Sequence, residues 1–437
     1  MSPLVQIKFT KEVISSWNKT YQNKAKVFYP KKLNDIKKFI KKIKLENKKY
    51  IIKTGECSYD SKSINPNYET YVISLKNFNK ILKIDLKQNF IIVQSGSLIS
   101  NLIYKLKYKG FTIFSIPGGE RISVGGAISA NVIGKDASLK NSSFGDAVIE
   151  LVVMTTEGVI KKITNNKKIS EYIGAFGMSG IILQTKLKIK KIPSQNLNIK
   201  TNVFKNLDEI KKNLDSKNDY NYIQVDPFFR KKHFAVGFKA NFIQKKRNIY
   251  KKVNLRPFFF EKFFFIISSF FVNKFTWSFF YKVFFFLNAK KSYELDLHNY
   301  HYSSKYKHMV PLITRNGLLD YEILIKDKFT KKIDYIFNFI KKNNLFPIYI
   351  IIKKIYKSKR TYAYNFNDNG YAIAISLDKI YIDKYIERKF LEMLSKNNLK
   401  LNLSKTDAKL VPRYDKKNHL FMSCYKKKIE RKDALSR

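Results

Sequence analysis

Six of the chain's sixteen glycines fall between Pro117 and Gly145. They occur as Pro117-Gly118-Gly119, Val124-Gly125-Gly126-Ala127-Ile128, Gly134-Lys135 and Ser143-Phe144-Gly145. Glycines this dense let a backbone come close to a ligand and turn several N–H groups on one anion. A pyrophosphate is a fitting partner, because backbone nests and helix N-termini both favour negative charge. Tight turns in a β-rich domain would use the same residues. Neither a dinucleotide-binding unit of strand, Gly-x-Gly-x-x-Gly and helix nor a Gly-x-x-x-x-Gly-Lys loop is present. A second group, Gly174, Gly177 and Gly180, leads into a strand expected at Ile181–Ile189. Other chemistries are poorly supported. Two cysteines, Cys57 and Cys424, exclude a disulfide framework and a cysteine-rich metal site. Of five histidines, the closest pair is His298 and His301, with no carboxylate motif around them, so no metal is expected.

The elements that must position these glycines are short strands and basic helices. Ile36, Phe39, Ile40 and Ile43 share one helix face. Strands are expected at Tyr50–Lys53, Thr70–Leu75, Phe90–Gln94 and Phe111–Ile116, with a helix carrying Leu98, Leu102 and Leu106. After the glycines, Val148–Thr155 and Val159–Ile163 read as a hairpin turning at Gly158. Residues 196–250 read as mixed α and β elements. Strands follow at Leu319–Ile325, Tyr349–Ile352 and Tyr371–Leu377, then a helix at Tyr381–Leu394.

At 437 residues the chain is long for one domain. Its formal net charge of +51 suits nucleic acid, anionic lipid or a phosphorylated substrate. Much of that excess matches the Lys, Ile, Asn, Phe and Tyr usage of an AT-rich genome. The basic residues are spread along the chain without a nucleic-acid-binding signature, so no nucleic-acid partner is expected. The N-terminus lacks the apolar segment of a signal peptide, which makes a cytoplasmic location the expectation.

The order and spacing of these pieces resemble the vanillyl-alcohol oxidase superfamily, whose FAD domain has the PCMH-type fold. The nearest branch is that of the decaprenylphosphoryl-β-D-ribose 2-oxidases, and the resemblance runs from near Ser16 to Arg437. It implies an α+β chain: a two-subdomain PCMH-type FAD-binding domain at 1–195, and an α+β substrate domain built on an antiparallel sheet at 196–400. A C-terminal segment, 401–437, would return to the flavin. The turn Thr54-Gly55-Glu56-Cys57-Ser58-Tyr59-Asp60 resembles a degraded form of the family's pyrophosphate turn, its arginine and one glycine lost. By position, Gly55, Glu56, Cys57 and Ser58, with Pro117, Gly118, Gly119, Glu120 and Arg121, would hold the pyrophosphate. Val124, Gly125, Gly126, Asn131, Ile133, Gly134 and Lys135 would line the flavin and ribityl chain, and Gly180, Ile182 and Asn402 would complete the cofactor site. Ile133 stands where the family often has a histidine that bonds covalently to the flavin, so the FAD is expected to be noncovalent.

The resemblance also implies the chemistry. A hydride would pass from a sugar carbon to flavin N5, at the 2-hydroxyl of a polyprenyl-phosphoryl pentose. Lys405, in Leu403-Ser404-Lys405-Thr406-Asp407, matches an essential family lysine, and Lys353 (or its neighbour Lys354) another that reaches substrate and flavin. Asp320 and Glu322 replace two glutamines of the substrate wall. Strand alternation lets only one of Tyr321 and Glu322 face the pocket, and Glu322 is the choice. Tyr302 matches a pocket tyrosine more weakly. Residues 256–288 hold fourteen of the thirty-six phenylalanines. They read as an interfacial element with aromatics in lipid and lysines among headgroups; a transmembrane helix and a buried core are the alternatives. The implied partners are a lipid-linked sugar phosphate, an anionic membrane surface and a short-chain reductase that would complete an epimerisation. The implied location is peripheral, on the cytoplasmic side of the inner membrane. A soluble aldonolactone or hydroxyacid FAD oxidoreductase, and a basic binding protein with an empty flavin fold, are the competing readings.

Overall fold

The computed structural model describes residues 7–59, 70–136, 143–230, 234–244, 267–302, 313–358, 360 and 368–402. Three sheets follow one another along the chain. The first has the order β1-β2-β4-β3. In it β1 (Thr10–Ser15) pairs antiparallel with β2 (Gln22–Phe28), while β3 (Tyr50–Lys53) and β4 (Thr70–Ser74) run parallel. The parallel step needs a crossover, which α1 (Leu33–Leu45) provides. Its Ile36, Phe39, Ile40 and Ile43 are all buried, on the face their spacing indicates.

The second sheet is antiparallel, in the order β5-β6-β10-β8-β9. It is built from β5 (Ile81–Asp85), β6 (Phe90–Gln94), β7 (Phe111–Ile113), β8 (Val148–Met154), β9 (Ile160–Ile163) and β10 (Ile181–Lys191). The short β7 pairs with the far end of β10. Three helices belong to this part, α2 (Ile99–Lys107), α3 (Val124–Ala130) and α4 (Asn166–Ser170). The strand expected to reach Ile116 stops at Ile113. Ser115 turns into the left-handed region at φ 52°, and the Asp136 carboxylate takes the N–H groups of Ser115 and Ile116. A side chain there replaces the sheet as hydrogen-bond partner.

The third sheet holds eight strands in the order β14-β11-β13-β12-β16-β17-β15-β18, all antiparallel. In chain order its elements are β11 (Asn196–Phe204), α5 (Leu207–Asp215), β12 (Tyr220–Val225), β13 (Ala235–Phe242), α6 (Lys274–Asn288), β14 (Ser292–Asp296) and α7 (Leu297–His301). Then come β15 (Leu318–Ile325), α8 (Phe329–Lys342), β16 (Pro347–Ile355), β17 (Gly370–Asp378), α9 (Lys384–Lys396) and β18 (Lys400–Leu401). Helix α9 starts later than Tyr381, because Asp383 caps it through the Ile386 N–H. Helices α5, α8 and α9 bury one face of the sheet around Ile210, Ile336, Phe337, Phe390 and Leu394. The opposite face shares one apolar cluster with the second sheet, in which Ile199, Tyr220 and Val236 join Ile91, Leu102 and Val124. This is a PCMH-type two-subdomain fold followed by an α+β unit on an antiparallel sheet.

Several glycines are required by close packing alone. A Cβ on Gly55 would lie 2.0 Å from the Arg121 carbonyl oxygen, and one on Gly125 would lie 2.8 Å from the Ser95 Cβ. Among the described residues nothing lies within 4 Å of such a Cβ on Gly118, which has no positive φ. Gly55→Ala and Gly125→Ala should therefore destabilise the chain by about 1–3 kcal/mol, the usual cost of overpacking. Gly118→Ala should leave the midpoint of thermal unfolding unchanged, and calorimetry of the three variants checks this.

Candidate functional site

A cleft of about 740 Å³ opens where the three sheets meet. The turn after β3 and the glycine-bearing loops around α3 form one wall; β15, β16, β17 and Asn402 form the other. Helix α6 closes a side with Trp277, Phe280, Tyr281 and Phe284, and Trp17 lies on the rim of the same space. The inner face of α6 is fixed to β16: Trp277 Nε1 and Tyr281 Oη both donate to the Ile348 carbonyl, at 2.9 and 3.1 Å.

The glycine wall separates into two kinds of backbone. The first amides of α3 are spent inside the protein: Val124 N donates to Ser97 O, Gly125 N to Ser95 O, and Gly126 N to the Ser123 side chain. Gly125 and Gly126 thus serve close approach and presentation of the helix, and the start of α3 offers an anion little. The turn after β3 and the loop before α3 differ. The N–H groups of Gly55, Glu56, Cys57, Gly118 and Gly119 have no acceptor among the described residues. The two segments touch, through the Gly55 approach to Arg121, the Thr54–Ser123 hydroxyl pair and an Arg121–Glu56 ion pair at 3.2 Å. Glu56 has a left-handed φ of 57°, a backbone turn of the kind that curls successive amides towards one anion. Unspent amides on two adjoining loops, with open space over Gly118, suit a pyrophosphate.

Lys53 adds a cation to that end. It is only 6% exposed, lines the cleft, and its ammonium has no hydrogen bond or ion pair among the described residues. Burial lowers its pKa, against a smaller opposing pull from Glu56. A buried ammonium without a counter-ion is costly, and an anionic ligand would supply the missing charge.

The opposite wall carries a compensated pair. Lys353 Nζ lies 2.9 Å from Glu322 Oε1 and donates to the Ile133 carbonyl at 2.9 Å. The other Glu322 oxygen accepts from Asn402 Nδ2 at 2.6 Å, and Asn402 N donates to the Glu322 carbonyl. Glu322 and Lys353 belong to β15 and β16, which are separated by β17. They meet across it because Glu322 stands opposite Ala374 and Lys353 opposite Ala372, whose methyl groups leave room above the sheet. Glu322 is fully buried, while the Tyr321 hydroxyl goes to Glu387 of α9. Lys354 points elsewhere and pairs with Asp215 at 2.7 Å, so Lys353 is the lysine that reaches the cleft. Asp320 also lines it, accepting from Ser376, from Tyr349 Oη at 3.3 Å and from Asn18 Nδ2 at 3.2 Å.

Residues 25–164 match the family model described as FAD binding domain. These residues form an FAD-binding domain. Among similar proteins, L-gulonolactone oxidase of Mus musculus is 22% identical over 219 residues, which are 49% of this chain and 47% of that protein. D-lactate dehydrogenase of Anaerostipes hadrus is 34% identical over 137 residues, 29% of this chain and 28% of that protein. Decaprenylphosphoryl-beta-D-ribose oxidase of Mycolicibacterium smegmatis is 27% identical over 122 residues, 27% and 26% of the two chains. The chain spans about half the length, or less, of these curated relatives. The chain is thus similar over part of its length to lactone, lactate and ribose enzymes alike, and the similarity singles out no one branch.

The cleft brings together Gly55, Glu56, Cys57, Ser58, Pro117, Gly118, Gly119, Gly125, Gly126, Ile133, Gly134, Lys135, Ile182, Glu322, Lys353 and Asn402. Five expected cofactor residues do not line it. Val124 is core, and Arg121 is held by Glu56. The Glu120 carbonyl accepts from Ser100, and Asn131 ends α3 and accepts from the Gly145 N–H at 2.9 Å. Gly180, at φ 136°, packs against Met154 while Gly177 takes the place on the cleft. Lys405 lies outside the described residues. Ile133 leaves its own position without a histidine, but His301 reaches the cleft from α7. Lys53, Ser95, Tyr222, Gln224 and Tyr300 were also missed. Only Lys53 left a local signal, as a lysine closing an apolar strand one residue before the Thr54-Gly55 turn.

Two outcomes follow for the FAD-binding domain. Lys53→Met should weaken FAD binding about tenfold, roughly 1.4 kcal/mol, in a fluorescence titration of apoprotein. Acid precipitation should release all the FAD to the supernatant. Ile133 cannot form a tether, and burial pushes the Cys57 thiol up to about 11, leaving little thiolate to attack the flavin.

Proposed function

We propose that the chain is an FAD-dependent oxidoreductase acting on a CH–OH group, and that its substrate is a polyprenyl-phosphoryl pentose oxidised at the 2-hydroxyl. The observation that carries the first part is the Lys353–Glu322–Asn402 network, buried across the cleft from the FAD-binding loops. When bound, FAD supplies the two-electron acceptor. Lys353 holds a positive charge on the wall where the substrate oxygen gathers negative charge as it loses its proton. Glu322 and Asn402 fix the position of that ammonium. Asp320, with its hydroxyl and amide donors, offers a further acceptor for a sugar hydroxyl. Lys405 is proposed as the second cation of the site.

The lipid part of the proposal is supported by α6. Its outer face exposes Phe275, Phe279, Phe286 and Leu287, and the segment just before it adds Ile267, Phe270 and Phe271. Contiguous apolar exposure of this kind marks an interaction surface. Among the described residues no helix is long and apolar enough to cross a membrane, and only Trp277, Tyr281 and Phe285 of α6 are buried. That pattern favours lying on a surface over crossing it or being packed as core. Lys282, exposed on the same helix, suits anionic headgroups. A second reading, a soluble lactone or hydroxyacid oxidoreductase, is favoured by the names of the relatives, and a short-chain reductase partner belongs only to the first.

Anaerobic bleaching of the flavin near 450 nm by a lipid-phosphoryl pentose, with no bleaching by free lactones, is the expected result; the reverse pattern would establish the second reading. Lys353→Met should lower the rate of bleaching about a hundredfold, the typical effect of removing one charge-stabilising group. Phe275→Ser/Phe279→Ser/Phe286→Ser should abolish flotation with anionic liposomes without changing the flavin spectrum. Flotation that survives the triple change would refute docking through α6.

A further inference from the structure

Lys135 belongs to the FAD-binding domain by sequence, but its side chain leaves that domain. Its Nζ lies 4.0 Å from the ring centre of Tyr222 on β12 and 5.8 Å from that of Tyr300 on α7. No carboxylate among the described residues pairs with it. The nearby charges are otherwise matched. Lys353 is neutralised by Glu322, and Lys190 by Asp136 at 3.3 Å, a carboxylate that also takes the Ser115 and Ile116 amides. Beside Lys135 sit two polar groups of the same kind. His301 is 6% exposed and, among the described residues, neither its ring nitrogens nor the buried Tyr300 hydroxyl has a hydrogen-bond partner. The two rings are 4.9 Å apart, and all three residues line the cleft.

We infer that Lys135, His301 and Tyr300 form an oxyanion subsite that seats the acidic group, carboxylate or phosphate, of the hydroxyl-bearing substrate. The inference rests on the cleft being the site of an FAD oxidoreductase and narrows its substrate class to anions. A cation stacked on an aromatic ring is stabilised only partly, and an oxyanion supplies the missing charge. Tyr300, held protonated by burial, donates; His301, held neutral by burial with Lys135 and Lys190 nearby, donates from one nitrogen. A neutral lactone leaves the ammonium uncompensated. Lys135 and Lys53 serve different ends of the cleft: Lys53 feels Glu56 and Arg121 of the FAD loops, whereas Lys135 feels Lys353.

Burial, with Lys353 as the second cause, lowers Lys135 to about 8. The oxyanion binds the protonated form and raises that pKa. Affinity is therefore complete below about pH 8 and falls about tenfold per pH unit above it. Tyr222, Tyr300 and His301 keep one protonation state through this range, and Lys190 and Asp136 are already paired.

Calorimetric titration of the FAD-loaded protein, between roughly pH 6 and pH 10, tests this with three probes: a pentosyl methyl phosphodiester, an aldonate and an aldonolactone. Both acids keep one negative charge throughout that range. One of them should bind with proton uptake above pH 8, and which one does identifies phosphate or carboxylate as the natural group. Lys135→Arg should bind without that pH dependence. Lys135→Met should bind at least tenfold more weakly at pH 7. The subsite is overturned if Lys135→Met keeps the wild-type affinity and pH profile, if the lactone binds as tightly as both acids, or if Lys135→Met sheds FAD. A wild-type protein without absorbance near 450 nm would sink the oxidoreductase reading instead, while the heats of anion binding would still report on Lys135.

Discussion

An ammonium and a carboxylate cannot be buried together unless the chain brings them into contact and satisfies what remains of each. Lys353 and Glu322 impose that condition on two strands that are not neighbours. Meeting it requires alanine at both facing positions of β17, an amide from Asn402 at the end of β18, and the Ile133 carbonyl from the other half of the molecule. The last contact ties the third sheet to the FAD-binding domain, as do the bonds of Arg360 to the Gly145 and Val148 carbonyls, and it fixes the spacing of the two cleft walls at that point.

The same condition explains what the sequence reveals and what it withholds. The strand at Phe90–Gln94 and the helix face of Ile36, Phe39, Ile40 and Ile43 follow from local periodicity, and the structure has them where the pattern puts them. Phe111–Ile116 broke early because the competing acceptor, Asp136, lies twenty residues on. The glycines were legible as close approach but not as to what they approach. Gly125 faces Ser95, Gly134 faces the backbone of Ser115, and, of the glycines from Pro117 to Gly145, Gly118 alone meets nothing among the described residues. His301 and Tyr300 carry no motif; the pairing of β14 with β11 and the turn into α7 bring them to the cleft.

The charge of the chain divides in the same way. Among the described residues most lysines are exposed, where an individual ion pair contributes little. Three lysines along the cleft are different in kind. Lys53 is set among FAD loops, Lys353 is bound to a carboxylate, and Lys135 is stacked on tyrosine. Composition cannot separate these from the others, because what distinguishes them is the absence or presence of an acceptor in three dimensions.

The chain has two tryptophans, Trp17 and Trp277, and both border the cleft. All of its indole emission therefore arises within a few side chains of whatever the cleft holds. A bound isoalloxazine, which absorbs where indole emits, would quench both at once by energy transfer. Trp277 is hydrogen-bonded to β16 on one side and stacked on Phe280 at 4.8 Å on the other, so it also senses any shift of the aromatic helix. The unlabelled protein thus carries its own optical gauge of cofactor loading and of what happens on the outer face of α6.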